Sequence, residues 1–372
     1  MAMHTTYCRK ISIVMIFTAA LLFSPIKSSF AQLDDLGAFI EGGAEDAQLL
    51  LQEYIRPFGS GFGGGINSGW VDRAGTHGLF GFHVKVSATS AFVPSSDRSF
   101  DVNALNMENL FVLHGDDPVT PTFSGSSDSG PMLGFRSQHP QTGEMVEYEA
   151  FRMPEGTGLR FIPTPMVQAG VGLPKNTELM IRFVPTLSFD DYGEFHLLGF
   201  GAKHELNQWI PGGRLLPITL SVMAGYTTIG SETNLEARPT PDEYEQVADG
   251  VDVENDWDDQ RIRLNTNAFT MNLLVGRSLP VFSFYGGIGF ETSTTSVKMD
   301  GNYPYYILVE SDGDIVRELN ALADPIDFSV DGSNSLRAMA GIRIRLFPFT
   351  LNVDYTLADY SMVSAGFGIS FR

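Results

Sequence analysis

Over most of its length the chain alternates, apolar residues on one side of a period of two and polar or small ones on the other. In 178–190, Leu179, Ile181, Phe183, Leu187 and Phe189 share one face, and Glu178, Arg182, Thr186, Ser188 and Asp190 the other. In 336–346, Leu336, Ala338, Ala340, Ile342, Ile344 and Leu346 oppose Arg337, Met339, Gly341, Arg343 and Arg345. The last stretch, MVSAGFGISFR, sets Val363, Ala365, Phe367, Ile369 and Phe371 against a face of Met, Ser and Gly. Such alternation marks β-strands with two chemically different faces. Eleven strands are predicted, near 62–71, 79–93, 161–173, 178–190, 194–206, 217–230, 261–277, 282–298, 336–346, 349–358 and 361–371, with a bulge near Ala268-Phe269 where the phase shifts. At 10–17 residues they can cross an outer membrane at a tilt, whereas strands of soluble sandwiches average about 5–6 residues.

The expected fold is therefore all-β, an antiparallel transmembrane β-barrel. Single-chain bacterial barrels have an even strand number, so about twelve strands are expected, within a range of ten to fourteen. The missing strand is expected in 94–160, best at Met145–Arg152; the other solution is a helix threading the lumen. Helical spacing of Leu36, Ile40, Gly43, Ala47, Leu50 and Tyr54 predicts one helix over 33–56, stopped by Arg56-Pro57. Connection lengths alternate. Short turns at 174–177, 278–281 and 347–348 and a longer one at 207–216 fall at one end, that of the C-terminus, expected to be periplasmic. The long loops 94–160, 231–260 and 299–335 fall at the other, outer end.

The first 31 residues read as a secretory signal: Arg9 and Lys10, an apolar run Ile11–Phe23, and small residues before Gln32. The expected organisation is a signal peptide (1–31), a plug helix (32–58) and the barrel (59–372). The run is too short to anchor the chain, since a spanning helix needs roughly 20 residues. The only cysteine, Cys8, lies in the leader, so the mature chain has neither disulfides nor thiol chemistry.

Charge adds candidate chemistry. The chain carries 24 Lys and Arg against 44 Asp and Glu, an acidity that argues against nucleic-acid partners. Lys85, Arg182, Arg343 and Arg345 all fall on inward faces. The helix brings Asp34, Asp35, Glu41, Glu45, Asp46 and Glu53, so its carboxylates are expected to pair with those lumen bases, more strongly than in bulk water. The other reading pairs the arginines with wall acids such as Asp354 and Glu178. Asp252, Glu254, Asp256 and Asp258 form an oxygen cluster of the kind that can take Ca²⁺, although solvated acidic surface is the simpler reading. Enzyme signatures are missing: no G-x-S-x-G, no H-E-x-x-H and no phosphate loop. His83 and His196 stand singly within strands, so no enzyme activity and no cofactor are expected.

The terminal strand, with Phe367, Ile369 and Phe371, resembles the assembly signal of bacterial outer-membrane barrels, though Arg372 follows the aromatic that usually ends it. Gly42–Trp70 and Pro165–Pro185 together resemble an uncharacterised family of outer-membrane barrels from the Bacteroidota, a domain of unknown function, over about 33–372. That resemblance implies an envelope location and one barrel domain and assigns no ligand residues. A looser likeness, through the plug and the interior Met180, Met223 and Met271, is to long-chain fatty-acid porins. The expected function is a plugged channel or transporter for a small solute, hydrophobic ones included. The alternative is a non-conducting envelope barrel that binds or supports through its acidic outer loops. The expected location is the outer membrane of a Gram-negative bacterium, and the expected partners are its lipid and the barrel assembly machinery.

Overall fold

A computed structural model describes residues 44–138, 145–189, 193–235, 237–241, 244–311 and 314–371. One helix, α1 (Ala44–Asn67), precedes ten long strands: β1 (Phe82–Phe92), β2 (Phe161–Leu173), β3 (Thr177–Phe189), β4 (Gly193–Glu205), β5 (Thr219–Asn234), β6 (Arg261–Ser278), β7 (Phe282–Asp300), β8 (Leu336–Leu346), β9 (Phe349–Leu357) and β10 (Met362–Phe371). Each strand pairs antiparallel with the next, and β1 closes on β10 from Phe82↔Phe371 to Ala91↔Met362. Closure leaves no free edge, so every strand has a partner on both sides. A short strand, Asp327–Asp331, adds to the outer end of β7.

The alternation sorts the faces as the period of two requires. In β1 and β9 exposed and buried residues strictly interchange. The exposed set is a belt of Phe, Leu, Val and Ile; the buried set is Lys, Arg, His, Ser, Thr, Asn, Met and Gly. Eleven residues of β1, at about 3.3 Å each and tilted by about 40°, make a belt about 27 Å tall, close to the apolar band of an outer-membrane barrel. Phe82, Phe347 and Phe371 meet at its lower rim, where Phe371 lies 5.0 Å and 5.5 Å from the other two rings. No described helix is long and apolar enough to cross a membrane; strands make this wall.

The turns 174–176, 279–281 and 347–348 lie at the end where β10 finishes, whereas the turn 358–361 lies at the opposite end. The loops 93–160, 235–260 and 301–335 lie at the other end, where they fold into a cap rather than an open fringe. A three-stranded sheet of Leu110–Val112, Met132–Gln138 and Met145–Arg152, a pair Ser99–Asp101 with Val119–Pro121, and a hairpin Asn302–Ser311 with Asp314–Ala323 build it.

Four sequence expectations change. The barrel has ten strands, the lower end of the expected range, not twelve. Met145–Arg152 is a strand, but it pairs in the cap and not in the wall. No strand forms at 62–71: the helix runs on through Pro57 to Asn67. Its glycines are there because the wall stands close. A Cβ on Gly63 would lie 2.0 Å from Ser293 Oγ, and one on Gly65 2.2 Å from Thr164 Oγ1. The bulge near Ala268 is not there either, since β6 keeps continuous register with β5 and β7; the irregularity lies between Val184 and Leu187 in the β3–β4 pair.

Candidate functional site: the filled lumen

The helix enters the barrel from the capped end. Its first half is an amphipathic segment whose apolar residues need a core, and the cap supplies one. Ala47, Leu50, Leu51 and Tyr54 bury against Val102, Leu110, Leu133, Phe151 and Met153 of one loop and Ile326, Phe328 and Val330 of another. Asp46 ties the start down, its carboxylate accepting the backbone N–H groups of Glu108, Asn109 and Leu110 at 2.7–2.9 Å. The second half descends between the walls. Ile66 packs with Met166, Leu197, Ile229 and Ala268, residues of β2, β4, β5 and β6, so the lumen is full at that height.

Below Asn67 the chain continues as an irregular strap, residues 68–81, to the start of β1. Helix end and strap present a row of backbone carbonyls, each an acceptor that must be matched where water is excluded. The wall supplies the donors. Arg182 donates through Nη1 to Ile66 O at 2.5 Å and through Nη2 to Ser68 O at 2.7 Å. Arg337 donates to Asn67 O at 3.1 Å, Lys85 to Gly69 O at 2.7 Å, and Gln168 to Trp70 O at 3.0 Å. Lower still, Lys203 donates to Arg73 O at 3.3 Å and Ser221 to Ala74 O at 2.7 Å. Two guanidiniums and an ammonium thus gather at a helix C-terminus, where the helix dipole favours positive charge.

Trp70 fills the middle. Arg182 stacks over its ring at 3.7 Å, and Met180, Met223, Leu274, Tyr285 and Met339 surround it. A Cβ on Gly201 or Gly225 would come within 2.7 Å of the indole, so those strand glycines make room for this one side chain. Two ion pairs and a hydrogen bond complete the lining: Arg343 Nε lies 3.2 Å from Asp72 of the strap, Arg337 pairs with Glu291, and Tyr285 donates to Asp354 at 3.2 Å.

At the base, Glu178 of β3 collects His77 and Arg73 of the strap, His83 of β1 and Lys203 of β4, at 3.0, 4.0, 3.6 and 3.5 Å. The two imidazoles are stacked with centroids 5.0 Å apart.

Lys85, Arg182 and Arg343 are buried together in the lumen and touch the plug, but through carbonyls and Asp72 and not through helix carboxylates. Arg345 stands apart, exposed at the lower rim, where its N–H donates to Val281 O at 2.7 Å. Of the helix acids, Glu45 is exposed, Asp46 serves the cap, and Glu53 pairs with Arg56 at 3.2 Å; Asp34, Asp35 and Glu41, like residues 1–31 that read as a signal peptide, lie outside the described residues. The described helix acids sit at the upper end and the bases lower down, so helix direction separates them. Among the described residues no ion pair joins Arg182, Arg343 or Arg345 to Asp354 or Glu178; the wall pair that forms is Arg337 with Glu291.

Phe367, Ile369 and Phe371 face outward, with Phe367 stacked on Phe349 at 5.9 Å. Met180 and Met223 line the lumen, whereas Met271 faces outward, 41% exposed. Asp252, Glu254, Asp256 and Asp258 do not converge on an ion position. Asp252 accepts from the Glu254 and Asn255 N–H groups, Asp256 accepts from the Asp252 N–H, and Asp258 pairs with Arg238 at 2.8 Å. The Asn255 side-chain hydrogen bond holds the Asp252 carboxyl below its usual range. His83 does have a carboxylate beside it, Glu178. Sequence reasoning missed His77, Trp70, Asp72 and Lys203. The first three sit on the strap, where no periodicity marks a buried position.

Among solved structures, the chain is similar to the translocator domain of the autotransporter NalP from Neisseria meningitidis (12% identity, 80% of this chain and 90% of that one, TM-score 0.28). It is similar too to the transport unit of the autotransporter AIDA-I from Escherichia coli (10%, 89% and 98%, 0.27) and to the CymD monoaromatic hydrocarbon channel (8%, 79% and 88%, 0.19). No curated protein matches. A family model matches residues 8–371, and the chain belongs to that family, the family of unknown function DUF6588.

Proposed function

We propose that this member of DUF6588 is an outer-membrane barrel of a Gram-negative envelope, closed at rest, which acts as a binding or structural protein through its folded acidic cap. One observation carries this reading: wall donors hold the plug backbone from Ile66 to Ala74 as if it were core. Five of these bonds come from charged groups: two from Arg182 and one each from Arg337, Lys85 and Lys203. At about 1.5 kcal/mol each, the low end for charged hydrogen bonds, they total about 7 kcal/mol. An opening that breaks them all would be populated at about 10⁻⁵.

On this reading Phe367, Ile369 and Phe371 are read by the barrel assembly machinery, and the leader is cut before Gln32, which N-terminal sequencing of the mature protein tests. Proteoliposomes containing the mature protein are expected to show no swelling in uncharged sugars. Swelling at the rate of an open porin would overturn the reading.

A second reading keeps the plug as a gate for a small solute. The helix meets the wall through Gly59, Gly63 and Gly65 against Thr295, Ser293 and Thr164, a smooth contact along which a helix can slide. Currents evoked by a solute from a barrel silent without it would favour this reading.

A further inference from the structure

We propose that His77, His83 and Glu178 bind one zinc-class divalent ion, which clasps the lower end of the strap to the barrel wall. All three are buried, and their ligand atoms lie within 4.8 Å of one another. His77 Nδ1 is 3.0 Å from Glu178 Oε2, and His83 Nδ1 is 3.6 Å from Oε1. Zinc holds nitrogen and oxygen ligands at about 2.0–2.2 Å in a tetrahedron, which spaces the ligands roughly 3.3 Å apart. The His83 Nδ1–Oε1 separation lies close to that value. His83 is 4% exposed, and its Nδ1 faces Glu178 without a hydrogen bond, so the cluster leaves a strong ligand atom unused.

The surroundings fit a metal site as well. A metal-bound imidazole usually commits its second nitrogen to a fixed partner, which sets tautomer and ring orientation. Here His77 Nε2 lies 3.1 Å from Ser370 Oγ and His83 Nε2 3.3 Å from the Gln168 amide. The carboxylate is oriented too: Oε2 accepts the His77 backbone N–H at 3.0 Å and faces Lys203 and Arg73. Those bases lower the affinity for a cation, but they engage Oε2 and leave Oε1 to the ion. Imidazole and carboxylate together suit zinc better than calcium or magnesium. His77 belongs to the strap, His83 to β1 and Glu178 to β3, so one ion would join plug and wall whether or not the barrel ever conducts.

The test is a titration of folded, metal-stripped protein in detergent. Zn²⁺ is added against a chromogenic chelator, and Co²⁺ is added to record its visible absorption. One ion per chain is expected, with affinity at least tenfold weaker in His77→Gln and in His83→Gln and unchanged in Asp252→Asn. The Co²⁺ spectrum should show the intense bands of a tetrahedral nitrogen-oxygen site. A heat-dependent shift in gel mobility identifies variants that fold. Wild-type protein that takes up no stoichiometric ion overturns the proposal, and so does equal affinity in folded histidine variants. If neither variant folds, a wild-type Co²⁺ spectrum without those bands overturns it.

Discussion

Replacing Arg182 with Met tests whether the plug is held as core. Arg182 is fully buried and stacked on Trp70, and it donates to both Ile66 O and Ser68 O. Two charged hydrogen bonds are worth about 3–6 kcal/mol together, and the desolvated stack adds about 1–2 kcal/mol. Against this, methionine removes the cost of keeping a guanidinium out of water, several kcal/mol. The net loss for the seated plug is about 2–4 kcal/mol. The readout is thiol modification of Ala74→Cys, a buried strap position in a mature chain expected to hold no other cysteine. Modification is expected to run about 30- to 700-fold faster in the Arg182→Met background, while gel mobility still reports a closed barrel. A rise of less than threefold would mean that packing alone holds the strap.

Other outcomes follow from single contacts. Gly65→Leu drives a side chain into Thr164, an overpacking cost of about 1–3 kcal/mol that should lower the urea midpoint; no change would mean the helix is not seated there. Asp46→Ala strands three cap amides and should cost about 2–4 kcal/mol, seen as faster hydrogen exchange at Glu108, Asn109 and Leu110. Phe367→Arg places a charge on the lipid face and should cost about 2–4 kcal/mol of folding into vesicles if the residue lies near the midplane; an unchanged folded fraction would move it out of the bilayer. Tyr360, in the outer turn before β10, donates to Asp97 at 2.7 Å, and burial first, then Asp97, push its phenol pKa up. A raised folded pKa stabilises fully below the unfolded value of about 10, and that contribution is lost as pH rises towards the folded pKa. Tyr360→Phe should therefore flatten the alkaline limb of the stability profile and leave it nearly level at neutral pH.

The wall was legible because an apolar exterior on one side and a crowded polar lumen on the other impose the period of two on nearly every strand. The ends were legible because loop lengths alternate. What failed was the chain inside the lumen. Residues 62–71 read as a strand, yet Gly63 and Gly65 serve close approach to Ser293 and Thr164, a tertiary reason that no local pattern carries. Lys85, Arg182 and Arg343 were recognisable as inward bases, but their partners were assumed to be carboxylates. Backbone carbonyls of a buried strap are acceptors that a sequence does not advertise. Arg345 was misplaced because alternation continues past the point where β8 leaves the lumen. His77 and Trp70 were invisible for the same reason as the strap itself: they are buried by the barrel around them, and no face of their own marks them.

The central claim is that the chain's own plug closes the barrel. Single-channel recording of the mature protein in a planar bilayer tests it most directly, beside the double variant Arg182→Gln/Arg337→Gln. The mature protein should be silent and the variant should open intermittently. A steady ohmic pore from the unaltered protein would contradict that claim.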